Sequence, residues 1–465
     1  MSSKEGQSLH ILFFPFMAPG HFQPVLYMAE RFAAHGVRVS ILTTPANVPL
    51  VQPSLDRANI ELHNIPFPSA EVGLPEGCEN LMHLPSLGLG LNFYAAILRL
   101  QEPFDKVLRD LLPDCVVTDA LFPWSYASTG ELNIPRLVFH PTCLFSMCAD
   151  QSLQRHRASL LQAAETVVIP GLPHRIEMLT SLLSPPGGVG EHEMFKLMRE
   201  ADAKSYGTVV NSFFELEPDY LKCLGRKAWP LGPVAPIHRD NIANAKAHDS
   251  VEWLGRKSPG STVYICFGST GSFTRAQMQE LALGLESSDH QFVWVLGKDG
   301  NEWIPQGFEE RVSGKGLIVR GWAPQMLILN HPSVGGFVTH CGWNSCLEGV
   351  TAGLPLVTWP MNIEDHFYNE RMIVDVLRIG VSVGVKKLCL KPEDRNVIEA
   401  EVVKKAVDEL MGSGEAADLR RQRARELGEK ARKAVEKGGS SYVNMANLIQ
   451  ELIDRKNRNS RTQAI

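Results

Sequence analysis

Long hydrophobic runs are missing from this 465-residue sequence. No stretch approaches the roughly 18 consecutive apolar residues of a membrane-spanning helix. The run at residues 11–17 is too short and lacks a signal-peptide cleavage pattern, so a soluble, cytoplasmic protein without membrane insertion is expected. An excess of positive charge is missing too. With 46 Lys+Arg against 51 Asp+Glu the net charge is -5, which supplies no field to hold nucleic acid. The nine cysteines are odd in number and contain no CxxC pair, which argues for reduced thiols and against a disulfide framework or a zinc site. No G-x-G-x-x-G follows the first apolar run and no G-x-x-x-x-G-K-[ST] occurs anywhere, which speaks against a dinucleotide-dependent oxidoreductase and a P-loop enzyme.

What is present is an ordinary globular balance, 44% hydrophobic and 21% charged, in a chain long enough for two or three domains. Short β-branched or aromatic runs alternate with longer stretches of helical spacing. That alternation predicts an α/β protein with mostly parallel sheets. Strands are predicted at 10–16, 37–43, 115–118, 136–139 and 208–211 in the first half. The second half offers 262–267, 292–296, 317–320, 336–339, 355–358 and 380–385. The polar, aperiodic segment near 233–249 separates the two sets, giving an expected N-terminal domain over 1–235, a linker over 236–250 and a C-terminal domain over 251–440. A last helix at 442–455 with a frayed tail from 457 completes the expectation, within a terminal segment 441–465 able to pack back on the first domain. Two such halves imply a cleft between the carboxyl ends of their strands.

The strongest chemical signal begins at Trp322-Ala323-Pro324-Gln325. It continues through Phe337-Val338-Thr339-His340-Cys341-Gly342-Trp343-Asn344-Ser345-Cys346-Leu347-Glu348-Gly349, a strand, a glycine turn and a helix start. Free backbone N–H groups at Trp343, Asn344 and Ser345, added to the positive end of the helix, make a phosphate site. Ser345 and His340 add side-chain donors to it. Asn344 and Glu348 are four apart and share a helix face, which places a carboxylate one turn deeper, where ribose hydroxyls can donate to it. Trp322 offers a flat surface for a base. Taken singly, His340, Trp343 and Asn344 read more readily as core and turn residues than as ligand contacts.

Taken together, residues 322 to 365 or 366 resemble the signature box of plant family-1 glycosyltransferases, the UDP-sugar-dependent enzymes of secondary metabolism. The W-x-P-Q opening, H-C-G-W-N-S and the glutamate three residues after it, and Gly353-Leu354-Pro355 leading to Trp359-Pro360 all match. Gly20-His21-Phe22-Gln23-Pro24, the run from Asp119 to Trp124, the run from Val210 to Glu217, and Cys266-Phe267-Gly268-Ser269 are similar to further family runs. Leu74-Pro75-Glu76-Gly77-Cys78-Glu79-Asn80 is similar to a segment of the subgroup acting on flavonoids, triterpenes and steroids. The resemblance implies the glycosyltransferase B fold, two Rossmann-like domains facing across a cleft, with the acceptor held mainly by the N-terminal half and the UDP-sugar by the C-terminal half. A monomer is expected, with no permanently bound cofactor and no metal.

His21 lies between a strand end and a helix start, where the positive end of the helix favours the neutral ring that can act as a base. Asp119 closes another strand of the same sheet, able to fix the ring's tautomer and stabilise the imidazolium formed when an acceptor hydroxyl gives up its proton. The resemblance assigns the same two residues to catalysis. It further implies Trp322 on uracil, Gln325 and Glu348 on the ribose, and His340, Ser345 and Ser269 on the diphosphate. Trp343, Asp365 and His366 are implied on the sugar, joined by Thr142 from the N-terminal domain, where Pro141 and Cys143 stand in place of the family's small residues. The box usually ends Trp-Pro, three residues, an acidic residue and Gln. Here Met361-Asn362-Ile363-Glu364-Asp365-His366 follows Trp359-Pro360, so either Glu364-Asp365 fills the pair or one residue is inserted and Asp365-His366 does. The downstream Phe367-Tyr368-Asn369-Glu370 favours the insertion. UDP-glucose is the expected donor, with UDP-galactose as runner-up because histidine replaces the usual glutamine. An apolar acceptor wall is expected from Phe14, Phe16, Met17, Phe22, Met82 and Phe122.

Overall fold

The computed structural model of the chain describes residues 8–160, 165–184, 193–236, 248–268, 271–297 and 303–463. Fifteen strands occur among them. In chain order they are β1 (His10–Phe14), β2 (Arg38–Thr43), β3 (Ile60–Asn64), β4 (Cys115–Asp119), β5 (Arg136–His140), β6 (Thr166–Val168), β7 (Glu177–Leu179), β8 (Gly207–Val210) and β9 (Ala228–Pro230). The second half adds β10 (Thr262–Cys266), β11 (Gln291–Leu296), β12 (Gly316–Arg320), β13 (Val334–Thr339), β14 (Leu356–Thr358) and β15 (Gly380–Ser382). They form a seven-stranded sheet in the order β3-β2-β1-β4-β5-β8-β9, a six-stranded sheet in the order β12-β11-β10-β13-β14-β15, and the small antiparallel pair β6-β7. Every pairing within the two large sheets is parallel.

Alternation of side chains along a strand explains why both faces of each sheet are covered. In β1, Ile11 and Phe13 enter one apolar cluster with Phe22 and Phe32, while Leu12 and Phe14 enter another with Phe104 and Phe122. In β10, Val263 and Ile265 pack with Leu281 and Trp294, while Tyr264 faces Phe337 and Leu347. The predicted first strand stops at Phe14 because Pro15 offers no N–H to the ladder, and the predicted last one stops at Ser382, ahead of Gly384 with φ at 76°.

The chain end departs from expectation. The final helix runs from Ser440 to Gln463, with no frayed tail from 457 among the described residues. Lys456 Nζ donates to Ser8 O at 3.1 Å and to Asp114 Oδ2 at 2.9 Å, and Ser460 Oγ to Lys456 O at 3.0 Å, which holds the last turns in place. Met445, Leu448 and Leu452, spaced for one helix face, sit in the same cluster as Ile11 and Phe13. The helix therefore belongs to the core of the first sheet. Residues 237–247, most of the expected linker, lie outside the described residues.

Candidate active site

β1 and β4 are neighbours, paired through Phe14 and Thr118, so their carboxyl ends open on the same crevice. His21 stands in the first turn of the helix Pro19–Ala34 that follows β1, and Asp119 is the last residue of β4. His21 Nδ1 is 2.8 Å from Asp119 Oδ2. The ring also leans on Phe16, with centroids 5.2 Å apart.

Across the cleft, β13 ends at Thr339 and the helix Trp343–Ala352 begins after a sharp turn. The left-handed residue of that turn is Cys341, at φ 66°, and its carbonyl is held by Asn369 Nδ2 at 2.9 Å. Gly342 has an ordinary φ of -60° and is needed for a different reason: a Cβ there would sit 2.5 Å from His340 Nε2. Gly268, at φ 72°, would likewise place a Cβ 2.6 Å from His340 Cε1. The imidazole is thus wedged between two glycines. Burial pushes the His340 ring down to about 4, so it is a neutral donor, and its Nδ1 has no hydrogen-bond partner. The helix's first intrahelical bond is Cys346 N–H to Gly342 O at 3.0 Å, which leaves the amides of residues 343–345 free for an anion.

One turn further, Gln325 Nε2 donates to Glu348 Oε2 at 2.6 Å, and Tyr264 Oη to Gln325 Oε1 at 3.3 Å. Burial raises the Glu348 carboxyl to about 7, against the opposing pull of the Gln325 bond. A buried carboxyl beside an amide suits ligand hydroxyls. Asp365 accepts from the Thr142 hydroxyl and, at 2.8 Å, from Asn369 Nδ2; burial raises its carboxyl. His366 packs edge-on to His340 with centroids 5.0 Å apart. Burial first, then His340 and Arg395, holds its ring well below the usual value, and its Nδ1 is unpartnered.

One cavity of about 650 Å³ brings these groups together. His21, Asp119 and Thr142 line it from the first domain. Gln325, His340, Trp343, Asn344, Ser345, Glu348, Asp365 and His366 line it from the second. Glu364 does not; it is bonded to Arg157 at 2.9 Å, outside the lining, which selects Asp365-His366 as the cavity-facing pair. Trp322 and Ala323 are also outside the lining. Trp322 is 76% exposed, edge-on to His248, and Ala323 contributes its carbonyl to Gln325 N–H at 2.8 Å. Ser269 lies outside the described residues.

Two expectations change in detail. The Trp343 indole N–H donates to Asn211 O at 2.7 Å, so only its backbone N–H remains for a ligand. Asn344 Nδ2 donates to Gly20 O at 2.8 Å, tying the helix Trp343–Ala352 to the residue before His21. The expected acceptor wall is corrected more broadly. Phe14 and Phe122 stack at 4.5 Å in the core with Phe16 and Met17, Phe22 is buried on the opposite face of the sheet, and Met82 stands on the surface; none lines the cavity. Leu81, Leu121, Phe195, Met198 and Ile363 do. Phe195 and Met198 are three apart on the helix Glu193–Lys204, a spacing that a helical reading of that segment exposes. Among the described residues, no group of three or more His, Cys, Asp or Glu is placed to hold a metal ion, and no helix is long and apolar enough to cross a membrane.

Comparison with known proteins gives the same picture. Residues 219–407 match the family "UDP-glucoronosyl and UDP-glucosyl transferase". The chain is 43% identical to scopoletin glucosyltransferase of Nicotiana tabacum, over 96% of this chain and 98% of that protein. It is 43% identical to UDP-glucose flavonoid 3-O-glucosyltransferase 7 of Fragaria ananassa, over 98% of each. The crystal structure of Glycyrrhiza uralensis UGT73P12 complexed with glycyrrhetinic acid 3-O-monoglucuronide superimposes with a TM-score of 0.91 at 38% identity, covering 98% of both chains. With its two parallel sheets facing across a cleft, the chain has the glycosyltransferase B fold and belongs to the plant family-1 UDP-glycosyltransferases, enzymes that use a UDP-sugar as donor.

Proposed function

We propose that this protein transfers glucose from UDP-glucose, with inversion, to a hydroxyl of a small lipophilic acceptor such as a flavonoid, another phenolic, a triterpene or a steroid. The reading is carried by one observation: the His21–Asp119 pair and the amide-rich start of the helix Trp343–Ala352 open into the same cavity. Relatives named for scopoletin and flavonoid glucosylation, and a neighbour holding a triterpenoid glucuronide, support the acceptor class. Residues 1–235 take the acceptor and residues 251–440 the donor, in a cytoplasmic monomer.

His21 removes the acceptor proton through Nε2, because Asp119 can only accept and so keeps the other proton on Nδ1. The oxygen attacks C1 of the sugar as the bond to UDP breaks on the opposite face. Charge growing on the diphosphate is met by His340, Ser345, Ser269 and the amides of residues 343–345. Gln325 and Glu348 hold the ribose and Trp322 covers the uracil. Thr142, Asp365, His366 and the Trp343 amide hold the sugar. The test is incubation with UDP-glucose or UDP-galactose and a panel of phenolic and terpenoid acceptors, with mass detection and NMR of the anomeric proton. A β-glucoside is expected; an α-linked product refutes the single displacement. UDP-galactose is the second reading, favoured by His366 where the family carries glutamine.

A further inference from the structure

Glu364 directly precedes the cavity-facing pair Asp365-His366, in a segment after Trp359-Pro360 that is one residue longer than the spacing the family resemblance implies for that pair. Its carboxylate is filled from three other residues. Oε1 accepts from Arg157 Nη2 at 2.9 Å and from the Tyr368 hydroxyl, and Oε2 from the Ser184 N–H at 3.0 Å and the Ser184 hydroxyl. Arg157 Nη1 in turn donates to Ser184 O at 2.7 Å. The Arg157 side chain is 4% exposed and that of Glu364 15%. The Glu364 carboxylate is filled and both Arg157 Nη atoms are bonded, while Arg157 Nε has no partner among the described residues; a pair this dry still holds one geometry, since displacing Glu364 leaves a buried charge unmatched.

The two partners come from different halves of the molecule. Arg157 is on the helix Leu144–Leu160, and Glu364 opens the helix Glu364–Arg371, whose next two residues are Asp365 and His366. The same helix is gripped at further points from the first half. Thr142 donates to Asp365, and Ser146 Oγ to Asn369 Oδ1 at 2.8 Å. Its first turn is therefore registered against the acceptor half.

We infer that Arg157 is a positioning residue for donor-sugar selection: through Glu364 it fixes the turn that presents Asp365 and His366, so discrimination between UDP-hexoses differing at one hydroxyl depends on a side chain that does not line the cavity. The inference rests on the reading that Asp365 and His366 face the sugar. It is tested by measuring kcat/KM for UDP-glucose and UDP-galactose, inhibition by UDP, and Tm, in Arg157→Ala, Arg157→Lys and Glu364→Gln. The preference between the two sugars is expected to fall roughly three- to tenfold in Arg157→Ala and Glu364→Gln. Arg157→Lys recovers part of it, while inhibition by UDP, which carries no sugar, stays within about twofold of the starting value. A brace with no part in selection lowers Tm and both rates together; an unmoved preference overturns the inference. If Arg157→Ala does not fold, Glu364→Gln, which keeps shape and loses charge, decides by the same criterion. Asp365→Asn separates the layers. If it leaves the preference unchanged, the reading of the sugar site falls and the inference with it. If it moves the preference while Arg157→Ala and Glu364→Gln do not, the inference alone fails.

Discussion

Asp119 is engaged through both oxygens: Oδ2 stands 2.8 Å from His21 Nδ1, and Oδ1 accepts the Leu121 N–H at 2.9 Å. The carboxylate cannot swing away without abandoning a backbone donor, so it holds the imidazole in one orientation. His21→Ala is therefore expected to lower kcat by about 10²- to 10⁴-fold toward an aliphatic alcohol acceptor while calorimetric UDP affinity stays unchanged. Asp119→Asn, which can offer an N–H to Nδ1 and reverse the tautomer, is expected to fall in the same range. Near-normal turnover in His21→Ala removes it as the base.

The Glu348 carboxyl, raised to about 7 by burial, makes donor binding pH-dependent. On the proposed reading ribose hydroxyls donate to the ionised form, so UDP-glucose affinity is expected to fall as pH drops below about 7, by up to about tenfold per unit. UDP-glucose is the right probe because its diphosphate does not titrate there. For stability the sign is opposite. A carboxyl whose folded value lies above its ordinary 4.5 stabilises the fold at low pH, and that contribution is lost as pH rises through about 7. Glu348→Gln should flatten both the affinity profile and this component of the Tm profile of the unliganded protein, and weaken binding at pH 8 by roughly 1–3 kcal/mol. Parallel pH profiles in both proteins count against the assignment.

Gly342→Ala tests the wedge around His340. Its φ of -60° suits alanine, so the whole effect comes from a methyl 2.5 Å from the ring, which must move. We expect roughly 1–3 kcal/mol of destabilisation and a loss of UDP affinity of about tenfold or more. Gly130→Ala, a helical position with nothing within 4 Å of the new methyl, is the control and should be neutral or slightly stabilising. Equal behaviour of the two variants contradicts the packing argument.

His366→Gln exchanges a buried ring with an unpartnered Nδ1 for an amide with two donors and an acceptor. The ratio of UDP-glucose to UDP-galactose use should shift by roughly three- to tenfold, measured by product formation at low donor concentration. An unchanged ratio means that His366 does not read the sugar.

Leu448→Ala in the last helix should cost about 2–5 kcal/mol in urea unfolding, since Leu448 is fully buried against the first sheet. Val443→Ala, 41% exposed on the same helix, should stay within about 0.5 kcal/mol. Similar losses at both positions argue against the docked helix.

The strands buried on both faces, such as Val116-Val117 in β4 or Val338 in β13, were legible because parallel sheets demand continuous apolar runs. β3 was not, because it is an edge strand whose Ile60, Glu61 and His63 are only partly buried or exposed, nor was β9, a three-residue edge ending in Pro230. The strand–turn–helix at 339–345 was legible from local spacing alone. What local spacing cannot carry is the partner of a side chain more than a hundred residues away. Trp343 meeting Asn211, Asn344 meeting Gly20, and Arg157 meeting Glu364 are of that kind. The aromatic wall was misplaced for a related reason: Phe14 and Phe122 look ligand-ready in sequence, but they stack on each other in the core, outside the cavity lining.

The chain that leaves the first sheet to build the second returns, in its final 24-residue helix, to the first. Severing the backbone once between the sheets would consequently release no free half. The C-terminal fragment would carry away its own anchor, still docked by Met445, Leu448 and Leu452, and by Lys227 and Tyr206 bonded to Glu451. Two separately produced pieces divided there have the means to find each other and rebuild one cleft, through this helix together with the contacts of Arg157 with Glu364 and of Trp343 with Asn211.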